Sequence, residues 1–139
     1  MQFRKIGSRF ILRIDKGEEI VETLLKLCKE QNIRLGTIAG IGAAGLLTVG
    51  FFETATKTYH SKEFEGDYEI TSLMGNITEK DGEPYLHLHI TFADTEQHAY
   101  GGHLSSAVIS GTFEGIIQTI EGSLDRHFND DVGLNLLKF

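Results

Sequence analysis

Apolar and polar residues alternate over several stretches of the chain, as they do in β-strands that bury one face. In residues 8–14, the side chains of Phe10, Leu12 and Ile14 fall on one side. Residues 37–52 contain short apolar runs broken by glycine, and these also fit strands better than helices. The other stretches predicted as strands are residues 57–64, 68–79, 85–93, 102–110, 112–122 and 132–139.

One segment has the spacing of a helix instead. Between residues 18 and 32, apolar residues recur every three or four positions and form one stripe. These residues are Ile20, Val21, Leu24, Leu25, Leu27 and Cys28. Glu18 and Glu19 precede the stripe, where the positive end of a helix dipole favours acidic side chains. The length of the segment 112–124 would also allow a helix, although its pattern favours a strand.

The turns between these segments indicate how the strands pair. Asp81 and Gly82 separate two predicted strands, and both residue types tolerate the positive φ of a tight hairpin turn. The flanking strands should therefore pair antiparallel. No repeat or proline-rich linker divides the 139 residues. The sequence predicts an α/β (α+β) fold in a single domain spanning residues 1–139, with a mainly antiparallel sheet and one long helix packed on it.

Net charge argues against nucleic-acid binding by the chain as a whole. Thirteen basic and twenty acidic residues give a formal charge of -7, which repels phosphate backbones. The charge is uneven, because residues 1–16 contain five basic residues and one acidic residue, whereas residues 81–139 contain two and nine. The basic start of the chain is interpreted as a solvated strand edge, with a local binding patch as the alternative.

Two features bear on where the protein is found. No apolar run approaches the roughly 20 residues of a membrane span, and the first residues lack the apolar core of an export signal. We therefore expect a cytoplasmic protein without a membrane partner. Cys28 is the only cysteine and lies among leucines, so it is expected to be a small, buried apolar residue without a disulfide.

Three histidines form the pattern with the clearest chemical meaning. His87 and His89 flank a leucine on a predicted strand, so their rings project from one face with Cα atoms about 6.6 Å apart. His103 follows two glycines on a later segment, where the missing side chains let backbones approach closely. If a return strand brings all three together, they form a zinc-like site with an open fourth position.

Histidine spacing alone leaves two readings open. The three residues could hold a metal, or they could be half-exposed strand residues bonded to their neighbours. His60, His98 and His127 lack comparable companions and are interpreted as surface residues. The glycines of residues 37–43 lack the Gly-Lys-Ser/Thr ending and the following helix of a nucleotide loop. They are interpreted as a bulge or a point of close packing.

Four motifs, taken in order, resemble the PPC (plants and prokaryotes conserved) domain family. They are Gly-Ile-Gly-Ala at 40–43, Tyr-Glu-Ile-Thr-Ser-Leu-Met-Gly-Asn at 68–76, His-Leu-His at 87–89 and Gly-Gly-His-Leu at 101–104. The resemblance implies an antiparallel α/β fold and a homotrimer. For the prokaryotic branch it also implies zinc or a similar divalent metal, held by histidines that match His87, His89 and His103.

The same resemblance raises the question of DNA. Plant members carry an AT-hook before the domain and bind DNA, and prokaryotic members are commonly called predicted DNA-binding proteins. This sequence has no Arg-Gly-Arg hook and is acidic. The favoured hypothesis is a homotrimeric, metal-binding domain that works as a ligand-binding or regulatory module, with DNA or a DNA-bound protein as a further partner. The alternative is a zinc-dependent hydrolase or lyase acting on a small polar molecule, with Glu96 or Glu114 as proton shuttle.

Overall fold

The computed structural model of the protein describes all residues from Met1 to Phe139. It contains eight strands and one helix, α1, at Ile20–Glu30. The strands are β1 at Gln2–Ile6, β2 at Arg9–Ile14, β3 at Gly36–Glu53, β4 at Thr58–Lys80, β5 at Glu83–Ala93, β6 at Ala99–Thr119, β7 at Arg126–Asn129 and β8 at Leu134–Leu137. Every strand pairing is antiparallel, so the predicted class of a mainly antiparallel sheet with one helix is confirmed.

The first six strands form one sheet that partly closes on itself. Their order is β1-β2-β6-β3-β4-β5, and the first part of β6 also pairs with β5. Strands β3, β4, β5 and β6 therefore form a closed ring. The β1–β2 hairpin extends the sheet beyond β6, with β1 at the edge, and β7 pairs with β8 in a separate small sheet. Ring closure brings together β5 and β6, the two strands that carry the three histidines.

Two of the strands are longer than the sequence pattern predicts. The predicted strands at 57–64 and 68–79 are parts of β4, and those at 102–110 and 112–122 are largely parts of β6. A helix at residues 112–124 is therefore wrong. The sequence pattern predicts separate pieces because the alternation of apolar and polar residues is interrupted where the sheet bends and its register shifts.

The glycines of β3 lie where the strand bends and packs closely. The register between β3 and β4 shifts between Gly40 and Gly42, and again between Ala44 and Leu46. A side chain at Gly42 would collide with the backbone oxygen of Thr112 on β6. The interpretation of this segment as a bulge and a close-packing point is confirmed.

Helix α1 is fixed against β5 and β6 by its apolar stripe and by its first residues. Its buried residues Ile20, Leu24, Leu27 and Cys28 belong to a core cluster of 23 residues. Burial raises the pKa of the Cys28 thiol to about 12, in agreement with the predicted apolar role. The carboxylate of Glu19 accepts hydrogen bonds from the backbone N–H groups of Glu22 and Ala107, each at 2.7 Å. Glu19 thereby caps the helix and ties it to β6.

The structure contains no helix with the length and apolarity that a membrane crossing requires.

Candidate metal centre

The structure brings three of the six histidines together on the outer face of the ring. Leu88 and Ile90 are buried in the core, so the alternate residues His87 and His89 point outward. His103 of β6 is the direct register partner of His89. The ligating nitrogens of the three residues all lie within 4.8 Å of one another. Their ring centroids are 5.3, 5.3 and 5.5 Å apart, so no one ring is remote from the other two.

Two glycines allow β6 to approach both of its neighbours at this point. A Cβ atom at Gly101 would lie 2.7 Å from the carbonyl oxygen of Ile90 on β5. A Cβ atom at Gly102 would lie 2.6 Å from the carbonyl oxygen of Gly50 on β3. A side chain at either position would force the strands apart, so the Gly-Gly pair is the local reason that His103 reaches β5.

The donor set suits a divalent transition metal. With Zn–N bonds of about 2.0–2.1 Å, the ligand nitrogens of a tetrahedral zinc site lie roughly 3.3 Å apart. The three nitrogens lie within 4.8 Å of one another, which exceeds that spacing by at most about 1.5 Å. Burial lowers the pKa of His87 to about 4, and the charge of a protonated His103 adds to this effect. Burial also lowers the pKa of His103. The lowered pKa values favour neutral imidazoles, the form that binds metal.

The three histidines line a cavity of about 780 Å³. This volume falls within the roughly 300–1,000 Å³ that is typical of small-molecule sites. Its other walls come from the ends of β3 and β4 and from β7 and β8, and they include Phe51, Tyr59, Leu134 and Leu136. No aspartate or glutamate lines the cavity. The site can therefore hold a ligand of modest size next to the imidazoles.

Neither acidic residue considered as a proton shuttle reaches this cavity. Glu114 lies eleven residues beyond His103 on β6, opposite Arg13, and lines a different groove. Glu96 lies in the turn at the far end of the β5–β6 pairing, next to the exposed His98. The shuttle hypothesis is wrong for both residues, because Glu114 lies on a distant part of β6, Glu96 lies in the β5–β6 turn, and neither lines the cavity.

A buried arginine at the same cavity was missed by the sequence analysis. Arg126 of β7 is 6% exposed and lines the cavity with the histidines. Its Nε donates to Thr78 Oγ1 at 2.8 Å, its Nη2 to Asn76 Oδ1 at 2.7 Å, and its Nη1 to the carbonyl oxygen of Asn135 at 2.8 Å. The only sequence signal for it is isolation, because Arg126 and Lys138 are the only basic residues after residue 80.

The other three histidines lie on the surface, as predicted. His60, His98 and His127 are all exposed. His60 Nε2 is 3.4 Å from a carboxylate oxygen of Glu53, and His98 Nδ1 is 3.3 Å from one of Asp94. None of the three belongs to the group of converging nitrogens.

Comparison with known proteins agrees with the fold and with the resemblance. The model of the Plants and Prokaryotes Conserved (PCC) domain, the family written PPC above, matches residues 1–121, which include all three converging histidines. A proposed DNA-binding protein of Bacteroides thetaiotaomicron is 41% identical, with a TM-score of 0.97 over 99% of this chain and 96% of that one. A metal-containing protein of Archaeoglobus fulgidus is 30% identical, with a TM-score of 0.88 over 100% and 99%.

A curated relative shares only part of its length with this chain. The bifunctional protein GlmU of Synechococcus sp. is 30% identical over 99 residues. The match takes in 67% of this chain but 14% of GlmU, so the chain spans a small part of that relative. The likeness concerns the shared segment and not the activities of GlmU as a whole.

Proposed function

This chain belongs to the Plants and Prokaryotes Conserved (PCC) domain family, and we propose that it is a homotrimeric, metal-binding member that serves as a regulatory module. The observation that carries the proposal is the meeting of His87, His89 and His103 beside one cavity. A purely structural role for these imidazoles would not require their nitrogens to converge on the outer face of the sheet. The proposed assembly and the proposed DNA partner rest on an exposed apolar band and on a basic hairpin beside it.

Zinc or a similar divalent ion would be held by the three imidazoles, with the cavity side left for a further ligand. The lowered pKa of His87 supports this assignment, because a neutral ring needs to lose no proton to bind metal. The Archaeoglobus fulgidus relative, a metal-containing protein, supports it independently. When bound, such an ion supplies a Lewis acid that attracts oxygen ligands.

Removal of one ligand should empty the site. In protein purified without an affinity tag, elemental analysis should find close to one metal ion per chain. His87→Ala or His103→Ala should lower that content by at least about 10-fold, because zinc sites in proteins need three or four protein ligands. His127→Ala is the matched control, since this exposed histidine lies outside the converging group. Equal metal content in the wild type and all three variants, or no metal in any of them, would contradict the metal site.

An apolar band on the outer face supports the homotrimer. Ile11, Ile116, Ala39 and Met74 follow one another in register across β2, β6, β3 and β4. Ile11, Ile116 and Met74 are 40%, 46% and 62% exposed, and all four residues line one groove. Exposed apolar bands of this kind mark contacts between proteins. We propose that further copies of the chain cover this band, with the number three taken from the family resemblance.

Burial of the apolar band between copies of the chain should stabilise the homotrimer. Light scattering during size-exclusion chromatography should give three times the 15.5 kDa of one chain. Ile116→Glu should shift the mass towards a single chain, because it would bury an unpaired charge between copies. Phe128→Glu, at an exposed apolar position outside the band, should leave the mass unchanged. A single-chain mass for the wild type, or a trimer that survives Ile116→Glu, would count against the proposed interface.

DNA is the partner that the relatives suggest. The Bacteroides thetaiotaomicron relative is a proposed DNA-binding protein. Because this chain has a formal charge of -7, phosphate contacts would have to come from a local patch. The best candidate is the β1–β2 hairpin, where Arg4, Lys5, Arg9 and Arg13 are all exposed at the edge of the sheet. A regulatory module with this patch could contact DNA directly.

Charge reversal on the hairpin tests this contact. In a gel shift on mixed-sequence DNA at low salt, the wild type should bind at micromolar concentration, and the double substitution Lys5→Glu with Arg9→Glu should abolish binding. Lys26→Glu changes an exposed lysine on α1 and should have little effect. If the wild type produces no shift, direct DNA contact is removed from the proposal, and a DNA-bound protein remains the regulatory partner.

The geometry favours a binding module over the alternative of a zinc-dependent hydrolase or lyase. An open coordination position would suit an enzyme. However, no carboxylate lines the cavity, and both carboxylates considered as proton shuttles lie elsewhere. The cavity contains imidazoles and a guanidinium that can hold a ligand, but it contains no carboxylate that could transfer protons to or from it.

A further inference from the structure

Arg126 is the one buried charge in the protein that no opposite charge neutralises. The only other charged side chain in the buried set is Glu79. Its carboxylate forms a two-point ion pair with Arg34, with both N–O distances at 2.7 Å. Arg126 instead donates only to a hydroxyl, a side-chain amide oxygen and a backbone carbonyl. Burying a guanidinium with neutral acceptors alone is costly, and it calls for an explanation.

The hydrogen bonds of Arg126 leave a defined part of its guanidinium free. Three of its five N–H groups are used, one on each nitrogen, so one N–H remains on each terminal nitrogen. The guanidinium carbon lies over the ring of Tyr85, 4.8 Å from the ring centroid. Four residues therefore hold the guanidinium of Arg126 in place: Asn76, Thr78, Tyr85 and Asn135. A fixed guanidinium with two free N–H groups matches the two oxygens of a carboxylate.

Arg126 lines the same cavity as the three histidines. Asn76, which accepts a hydrogen bond from Arg126, is the register partner of His87 on the adjacent strand. Neighbouring strands lie about 4.8 Å apart, so one small molecule can reach from the guanidinium towards the imidazoles. No carboxylate lines the cavity to offset the positive charge. The cavity is therefore a positively charged pocket in an acidic protein.

We propose that this cavity binds a small organic carboxylate, with the carboxylate paired to Arg126 and the rest of the molecule directed towards the three histidines. The inference rests on the proposed function and names the ligand class of its metal site. Apolar walls formed by Phe51, Leu134 and Leu136 favour an organic acid over inorganic phosphate. No lysine lines the cavity, and a single guanidinium matches a single negative charge.

Calorimetric titration of the full, metal-loaded chain tests the proposal with butyrate and 2-hydroxybutyrate as probes, each compared with its uncharged amide. The acids should bind at least about 10-fold more tightly than the amides, because only the acids carry the charge that pairs with Arg126. Arg126→Gln keeps hydrogen-bonding groups without the charge and should remove this preference. Arg126→Lys keeps the charge without the fork and should retain part of it. Lys26→Gln, at an exposed lysine of α1, should behave as the wild type does.

Circular dichroism and metal content, measured for each variant, separate this proposal from the metal site itself. If the wild type binds acid and amide equally, or binds neither at millimolar concentration, the carboxylate proposal is overturned while the metal site stands. The same holds if folded Arg126→Gln binds the acids as tightly as the wild type. If the wild type holds no metal but still binds acids in a way that depends on Arg126, the metal site fails and the anion site is supported. Should Arg126→Gln not fold, Arg126→Lys and the acid–amide comparison decide the question.

Discussion

The pairing of β5 with β6 is the interaction on which the rest of the structure depends. It closes four strands into a ring, and His89–His103 is the last residue pair before the two strands separate. Beyond this pair, β6 continues along β3, while β5 continues along β4 alone. The imidazoles therefore meet where one side of the ring opens. A side chain at Gly101 would collide with β5, and one at Gly102 would collide with β3.

The face of the sheet that does not enter the core carries the proposed functions. Alternation along β5 sends Leu88 and Ile90 inward and the histidines outward. In the same row of register partners, His89 is followed by Met74, which begins the exposed apolar band. A copy of the chain docked on that band would thus lie next to the three histidines of the proposed metal site. Assembly and ligand binding would then share one surface.

The residues of the site come from two parts of the chain. The PCC domain match, residues 1–121, contains the three histidines and Asn76. Arg126 and the leucines of β8 follow that match and form the facing wall of the cavity. This division means that changes in the last residues of the chain could alter the ligand while the histidines stay in place. The sequence pattern singles out the histidines but does not single out Arg126.

Features set by neighbouring residues could be predicted from the sequence, and features set by distant pairings could not. Asp81 and Gly82 both have positive φ, at 54° and 82°, as the hairpin prediction required. The strand period likewise put His87 and His89 on one face. Strand β1 was not predicted, because all five of its residues are exposed and it lacks a buried face to generate alternation. Arg126 became visible only in three dimensions, since its side-chain partners Thr78 and Asn76 lie 48 and 50 residues away on β4.

Anomalous diffraction at the zinc edge, from crystals of the zinc-loaded protein, tests the central claim most directly. The account predicts one peak per chain, about 2.0–2.1 Å from a ring nitrogen of each of His87, His89 and His103. Crystals that contain zinc elsewhere, with the three rings turned away from one another and no peak between them, would contradict it.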